Sequence, residues 1–306
     1  MTSLFGLDPA SYRPHAIHTG ERTYTETNCY TDIVVELLHA RGDEPLAAMS
    51  FLVRMDFEGD QWTFFKPPPE DLERLFGVDI HEMQPYRALP VQVQEQLGAG
   101  RTMTIEVDSW HLPDTAATSY RSEHVKTSII PETIDLDAEL LRYFHNAGFY
   151  ELSGEDFSGV FRVDGLPPYT ELVRFDAGAR LQGEDMRQAS RLLLRHHLER
   201  RPATNPFERF GEHLASELPR LVEGEAADYH AYAFATVRLV GSAFEILATY
   251  VDWLDGGPAT KAFKRIVEGS KTLSLKLARR RAFDPAPMLA GLGAAWDEGM
   301  SALDAA

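Results

Sequence analysis

The chain has 306 residues, enough for one large domain or two ordinary ones, and its 44% hydrophobic and 25% charged residues exclude wholesale disorder and fibrous repeats. A formal net charge of −17 argues against general nucleic-acid binding, because a polyanion is repelled over most of such a surface. The single cysteine, Cys29, rules out an internal disulfide and every multi-cysteine zinc or iron–sulfur centre.

Residues 1–15 show no basic region followed by an apolar run, so the expectation is a soluble cytoplasmic protein without a secretory signal. Asn28 then precedes a run in which Tyr30, Ile33, Val34, Leu37 and Leu38 repeat at helical spacing. This predicts an amphipathic helix capped by Asn28, with Cys29 in its first turn, where unpaired N–H groups and the positive helix end favour a thiolate. Further along, 101–110, 125–130, 149–153 and 160–163 read as strands. Near residue 180 the texture becomes helical, with helices expected near 184–201, 205–223, 226–254, 258–281 and 285–303. Asn205-Pro206 and Asp284-Pro285 supply two of the starts, each a capping side chain before a proline at the first helical position. The most apolar stretch, 229–254, carries Arg238, Glu245 and Asp252, so no membrane insertion is expected. The organisation predicted is an α+β catalytic domain over 1–180 and an α-helical bundle over 181–306.

A cysteine at a helix start becomes a candidate nucleophile when a base is available, and His124, at the head of the strand Val125–Ile130, is such a base. Glu106-Val-Asp108-Ser-Trp-His-Leu-Pro-Asp114 and Tyr120-Arg-Ser-Glu-His124-Val-Lys-Thr resemble the papain-like amino-terminal domain of BtrH-type cysteine acyltransferases. Asn28-Cys-Tyr-Thr-Asp32, the stretch Gly59–Pro69 and Tyr150-Glu-Leu-Ser-Gly-Glu-Asp156 resemble an uncharacterised bacterial family associated with amino acid:carrier-protein ligases. The resemblance implies a papain-like fold, a Cys-bearing helix packed on an antiparallel sheet, in which His124 takes the thiol proton. It also implies an acid after the histidine strand to orient the imidazole. Asp156 is the first choice, Glu151 the second, and Asp135 and Asp137 are rivals nearer in sequence.

No glutamine precedes Cys29 to serve as an oxyanion donor, so the Cys29 N–H at the helix start is expected there, helped by Asn28 in preference to Glu26, with Asp108 and Glu151 on the substrate side. The expected reaction is transfer of an acyl or aminoacyl group from a carrier-protein thioester through Cys29 to an amine acceptor. Cysteine-dependent hydrolysis and non-catalytic binding on the same fold are the alternatives. No resident cofactor is expected, a phosphopantetheine arm belonging to the partner. His15, His18 and Glu21 carry metal-capable side chains in a Pro- and Gly-flanked stretch without helical spacing, so no metal site is expected. The segment Asp60–Pro69 reads as buried aromatics anchoring a proline-rich turn, with a lid as the other reading. Arg187, Arg191 and Arg195 share one helix face as candidates for docking an acidic carrier, and Lys276–Arg281 form a second basic group.

Overall fold

The computed structural model describes every residue except Glu21, 163–166 and Ala306. It divides into two compact units, one of Met1–Gly20, Asn28–Pro45 and Pro68–Gln182, the other of Glu21–Thr27, Leu46–Pro67 and Gly183–Ala306. Two early stretches thus belong with the late helices, which the change of texture near residue 180 does not announce.

The first unit is a mixed α+β structure built on an antiparallel sheet of seven strands: β1 (Thr2–Ser3), β2 (Asp79–Glu82), β3 (Thr102–Asp108), β4 (Lys126–Asp135), β5 (Leu140–His145), β6 (Gly148–Ser153) and β7 (Thr170–Arg174). The strand order is β2-β7-β3-β4-β5-β6, with β1 paired to β4. Helix α1 (Cys29–Ala40) packs on β4 and β5 and buries Ile33 and Leu37 completely. α2 (Pro69–Phe76) packs on β2, and α3 (Leu89–Gly98) lies against β3 and β4.

Side chains alternate across a strand, so Met103, Ile105 and Val107 of β3 share one face. With Ile129, Leu141 and Tyr143 they join Leu89, Val93 and Leu97 of α3 in a single apolar core. Each fully buried side chain of this kind contributes about 1.5–3 kcal/mol relative to exposure. The opposite face carries Thr104, Glu106, Asp108 and Ser128, beneath the start of α1. Pro131 lies in β4 where the register to β5 shifts between Pro131 and Thr133, an irregularity of the kind that admits a proline inside a sheet.

The strand expected at 160–163 is corrected: Val160 ends a short helix, α4 (Glu155–Val160), and Val163 lies outside the described residues. Gly154, at φ 60°, turns the chain sharply after β6, and the turn that follows buries Phe157 and Val160 on one side.

The second unit comprises α5 (Gly183–Leu198), α6 (Pro206–Glu223), α7 (Ala226–Ala233), α8 (Leu239–Leu254), α9 (Pro258–Ala278) and α10 (Ala286–Asp304). α8 packs on α9, α9 on α10 and α10 on α6. A five-residue π turn, Phe234–Arg238, joins α7 to α8. The combined stretch Ala226–Leu254 is long and apolar enough to cross a membrane, but its apolar window is 67% buried within the protein, as in a core helix. Trp62 is buried at a ring-centroid distance of 5.0 Å from Phe207 and 5.5 Å from Phe210, which makes the Asp60–Pro69 segment part of a core.

Candidate functional site

Cys29 opens α1 because Asn28 stops the preceding chain: its Oδ1 accepts the N–H groups of Tyr30 at 3.2 Å and Thr31 at 2.8 Å. The side-chain oxygen of Asn28 is therefore a helix cap. Replacing Asn28 with Ala removes this acceptor and is expected to cost about 0.5–2 kcal/mol, read from chemical denaturation. Tyr30 donates its hydroxyl to Glu171 of β7 at 2.7 Å, and Thr104 and Tyr169 donate to the same carboxylate, fixing the helix start over the sheet. Burial and Glu171 together push the Tyr30 hydroxyl far up, so it remains a neutral donor. The Cys29 Sγ approaches Ser128 Oγ of β4 at 4.0 Å.

His124 stands at the end of the connection between β3 and β4. Leu112, fully buried, anchors that connection, and the Ser109 N–H donates to Val125 O at 2.9 Å, bringing its two ends together. His124 Nδ1–H donates to Asp108 Oδ2 at 2.6 Å, while Asp108 Oδ1 accepts the Trp110 N–H at 3.0 Å. The indole of Trp110 stacks on the imidazole, with centroids 4.6 Å apart and planes 11° apart. Burial alone would raise the Asp108 carboxyl, but the hydrogen bonds from His124 and the Trp110 N–H, with the charge of a protonated His124, hold it below the usual carboxylate range. The imidazole is thus held on two sides, yet its side chain is 71% exposed.

The carboxylate that His124 meets in the structure is Asp108, not Asp156. Asp156 accepts the Tyr120 hydroxyl at 2.9 Å and an Arg121 N–H at 2.6 Å, so it braces the connection that ends in His124. Glu151 pairs with Arg142 at 2.7 Å, and Asp135 pairs with the amino terminus at 3.2 Å; neither touches His124. The Asp137 N–H caps back onto Asp135 Oδ1 in the β4–β5 turn. Among the described residues no hydrogen bond joins Cys29 to His124, and their relation is one of register. Ser128, beside the thiol, lies opposite Glu106, and Lys126, one rung along on the same face, lies opposite Asp108. One rung is about 7 Å.

A cavity of about 360 Å3 opens beside the imidazole. Asp108 and His124 line it together with Val107, Val125, Phe161 and Arg162. Gly159 also lines it, and a Cβ there would lie 2.1 Å from the His111 ring. The cavity and the stacked tryptophan are features that sequence reasoning missed. The Asp-Ser-Trp run at the end of β3, a carboxylate capping the second N–H beyond it, is the local signal that could have found the pair.

The model of the DUF1839 N-terminal domain matches residues 13–175, and that of the DUF1839 C-terminal domain matches residues 183–305. The chain belongs to the DUF1839 family. This family is uncharacterised, and no curated protein matches the chain. The DUF1839 N-terminal match contains Cys29, Asp108, His124 and the cavity, and the C-terminal match contains the six late helices.

The basic helix face of this DUF1839 chain is largely engaged. Arg187 donates to the Trp253 carbonyl and lies over its ring, with 4.4 Å from guanidinium carbon to centroid, and Arg191 pairs with Glu184 at 3.0 Å and Asp255 at 2.9 Å. Arg195 lies one turn on and is exposed. In the second group, Lys276 lies over the Phe283 ring at 5.4 Å. Of the residues weighed as metal ligands, His18 is buried between Asp32 and Glu36, His15 Nδ1 accepts the Ile17 N–H at 3.2 Å, and Glu21 lies outside the described residues. Among the described residues no group of three or more His, Cys, Asp or Glu is placed to hold a metal ion.

Proposed function

We propose that the chain is a cysteine-dependent acyltransferase of papain-like design that moves an acyl or aminoacyl group from a thioester to an amine. The observation that carries this reading is that Cys29 approaches Ser128 and His124 bonds Asp108, two residues that share one face of β3 and β4 one rung apart, with a cavity beside the Asp108–His124 pair. That spacing suits two partial reactions better than direct proton transfer from thiol to imidazole. The Cys29 thiolate attacks the donor carbonyl, a carbon–sulfur bond forms, and the donor thiolate leaves. An amine then attacks the new thioester, its proton passes to His124, the amide forms and the Cys29 thiolate is released. The amine proton finally reaches the departed thiol, so the cycle returns to its start. Asp108 keeps Nδ1 protonated and Nε2 open to the amine.

A carrier protein as donor, with its phosphopantetheine arm, is supported by the resemblance to a family associated with carrier-protein ligases. Arg195 is the member of the basic face best placed for such docking. The test is intact-mass analysis after mixing the protein with an acyl-N-acetylcysteamine thioester and an amine. A mass increase confined to Cys29, chased into amide, is the expected result. Chase into free acid alone would make the protein a hydrolase, and a wild-type adduct that survives in Cys29→Ala would end the reading.

A further inference from the structure

We infer that His145 is a positioning residue for His124, acting through Asp114 in the connection from β3 to β4. This inference deepens the transfer reading above and rests on it for the role of His124. The connection runs from Ser109 to Val125 and holds two three-residue turns, Ser109–His111 and Pro113–Thr115, but no strand. Ser109, Leu112 and Ser119 are its buried residues. A connection this long without a helix or strand is uncommon in a compact domain and is typically functional. Asp114 ties it to β5: one carboxylate oxygen accepts the Tyr143 hydroxyl at 2.5 Å and the other accepts the His145 Nδ1–H at 2.5 Å. His145 Nε2 accepts the Thr127 hydroxyl at 2.8 Å, so both ring nitrogens are engaged and the ring proton is held on the side of Asp114. The His145 side chain is 2% exposed and that of Asp114 5%.

From Asp114 the tie reaches the His124 ring through the next residue. Thr115 donates its hydroxyl to the Ser109 carbonyl at 3.2 Å and the Leu112 carbonyl at 2.9 Å, while its own carbonyl accepts the N–H groups of Thr118, Ser119 and Tyr120. The chain then turns back, and the Arg121 N–H donates to the Trp110 carbonyl at 3.2 Å. Trp110 is thereby held from both ends of this loop, and its indole is the plane on which the His124 imidazole stacks. Asp156 fixes Tyr120 and Arg121 independently, whereas among the described residues the side-chain partners of Asp114 are Tyr143 and His145. Loss of the His145 donor leaves a buried carboxylate oxygen unpaired, a cost that favours displacement of the turn. A displacement of about 1 Å at a reacting group is enough to cost about 10²-fold in rate.

The experiment uses the two ring nitrogens, which different side chains replace. In His145→Asn the amide takes the place of Nδ1 and keeps a donor for Asp114. In His145→Gln the amide reaches the place of Nε2, beside Thr127, and the donor for Asp114 is lost. A merely structural role would penalise both. Each variant is measured in two ways: single-turnover transfer of an acyl group from Cys29, loaded with an acyl-N-acetylcysteamine thioester, to benzylamine, and the step in tryptophan emission with pH that a protonated imidazole stacked on Trp110 produces, isolated by subtracting Trp110→Phe. His145→Gln is expected to slow transfer by about 10–10²-fold, to leave acylation of Cys29 unchanged and to remove most of the emission step. His145→Asn is expected to stay close to wild type in both. Tyr143→Phe, which removes the other donor to Asp114 and keeps the ring, is expected to fall between them. Equal behaviour of the Asn and Gln variants, or a full emission step in His145→Gln, overturns the inference. A wild type without the step lacks the stack on which the path ends, which overturns it too. If His145→Gln does not fold, Tyr143→Phe decides, and values equal to wild type overturn the inference. If Cys29 never acylates, the transfer reading fails while the emission step still decides the positioning of His124 by His145.

Discussion

In His124→Ala the acyl group is expected to remain on Cys29 and its transfer to an amine to slow by about 10²–10⁴-fold, the usual contribution of a positioned proton acceptor. Cys29→Ala is expected to abolish both acylation and transfer. The two variants thus separate steps that would be lost together if His124 activated the thiol directly. Asp108→Asn should slow transfer as well, because an amide in place of the carboxylate removes the charge that favours an Nδ1–H tautomer and the developing imidazolium. Asp156→Asn should have a smaller effect, since Asp156 holds Tyr120 and Arg121 rather than the imidazole. Single-turnover measurements of adduct formation and adduct decay check all four. Equal loss of acylation in His124→Ala and Cys29→Ala would return His124 to the role of thiol base.

His18→Leu is expected to destabilise the sheet unit by about 3–5 kcal/mol, because it leaves two buried carboxylates without their cation. The side chains of His18 and Glu36 are wholly buried and that of Asp32 is 1% exposed. Glu36 also accepts the Tyr12 hydroxyl and the His15 N–H, the latter at 3.0 Å, so the cluster ties the first eighteen residues to α1. Burial opposes the His18 charge, but hydrogen bonds and attraction to Asp32 and Glu36 outweigh it and raise the pKa from 6.5 to about 9. Because the folded value is the higher one, the stabilisation is complete below pH 6.5 and is lost as pH rises through about 9. Denaturation of wild type and variant across that window should show the gap between them narrowing as pH rises. A gap that does not change with pH would mean that His18 is neutral in the folded protein.

The parts of the fold legible from sequence are those written in local contacts. Asn205 caps α6 by accepting the Phe207 N–H at 3.0 Å, and Asp284 accepts the Ala286 N–H at 3.0 Å, as their proline-flanked pattern predicts. Helix α1 likewise follows from its apolar spacing and its asparagine. By contrast, β5 reads Leu-Leu-Arg-Tyr-Phe-His and is buried at Leu141 and throughout Tyr143–His145, so the alternation that marks a half-exposed strand is absent. One reason for its burial is His145, whose Nδ1–H donates to Asp114 at 2.5 Å while Nε2 accepts the Thr127 hydroxyl at 2.8 Å. An acid for His124 was sought after it along the chain, whereas the carboxylate it bonds lies 16 residues before it, at the end of the preceding strand. That choice depends on strand register, which residue spacing alone does not reveal.

The interleaving of the two units along the chain also sets an order of events during synthesis. Trp62 and Phe57 emerge from the ribosome long before Phe207 and Phe210, against which they pack at 5.0–5.5 Å. At about 5–20 residues per second, this apolar stretch waits roughly 7–30 seconds for its partners. A nascent chain paused before residue 207 therefore presents unburied aromatic rings, a natural target for a holding chaperone. A fragment cut between the two family matches would carry the same rings permanently exposed, and its late half would lack the indole that fills its centre. The boundary that sequence families mark near residue 180 is thus a poor place to divide this protein for expression.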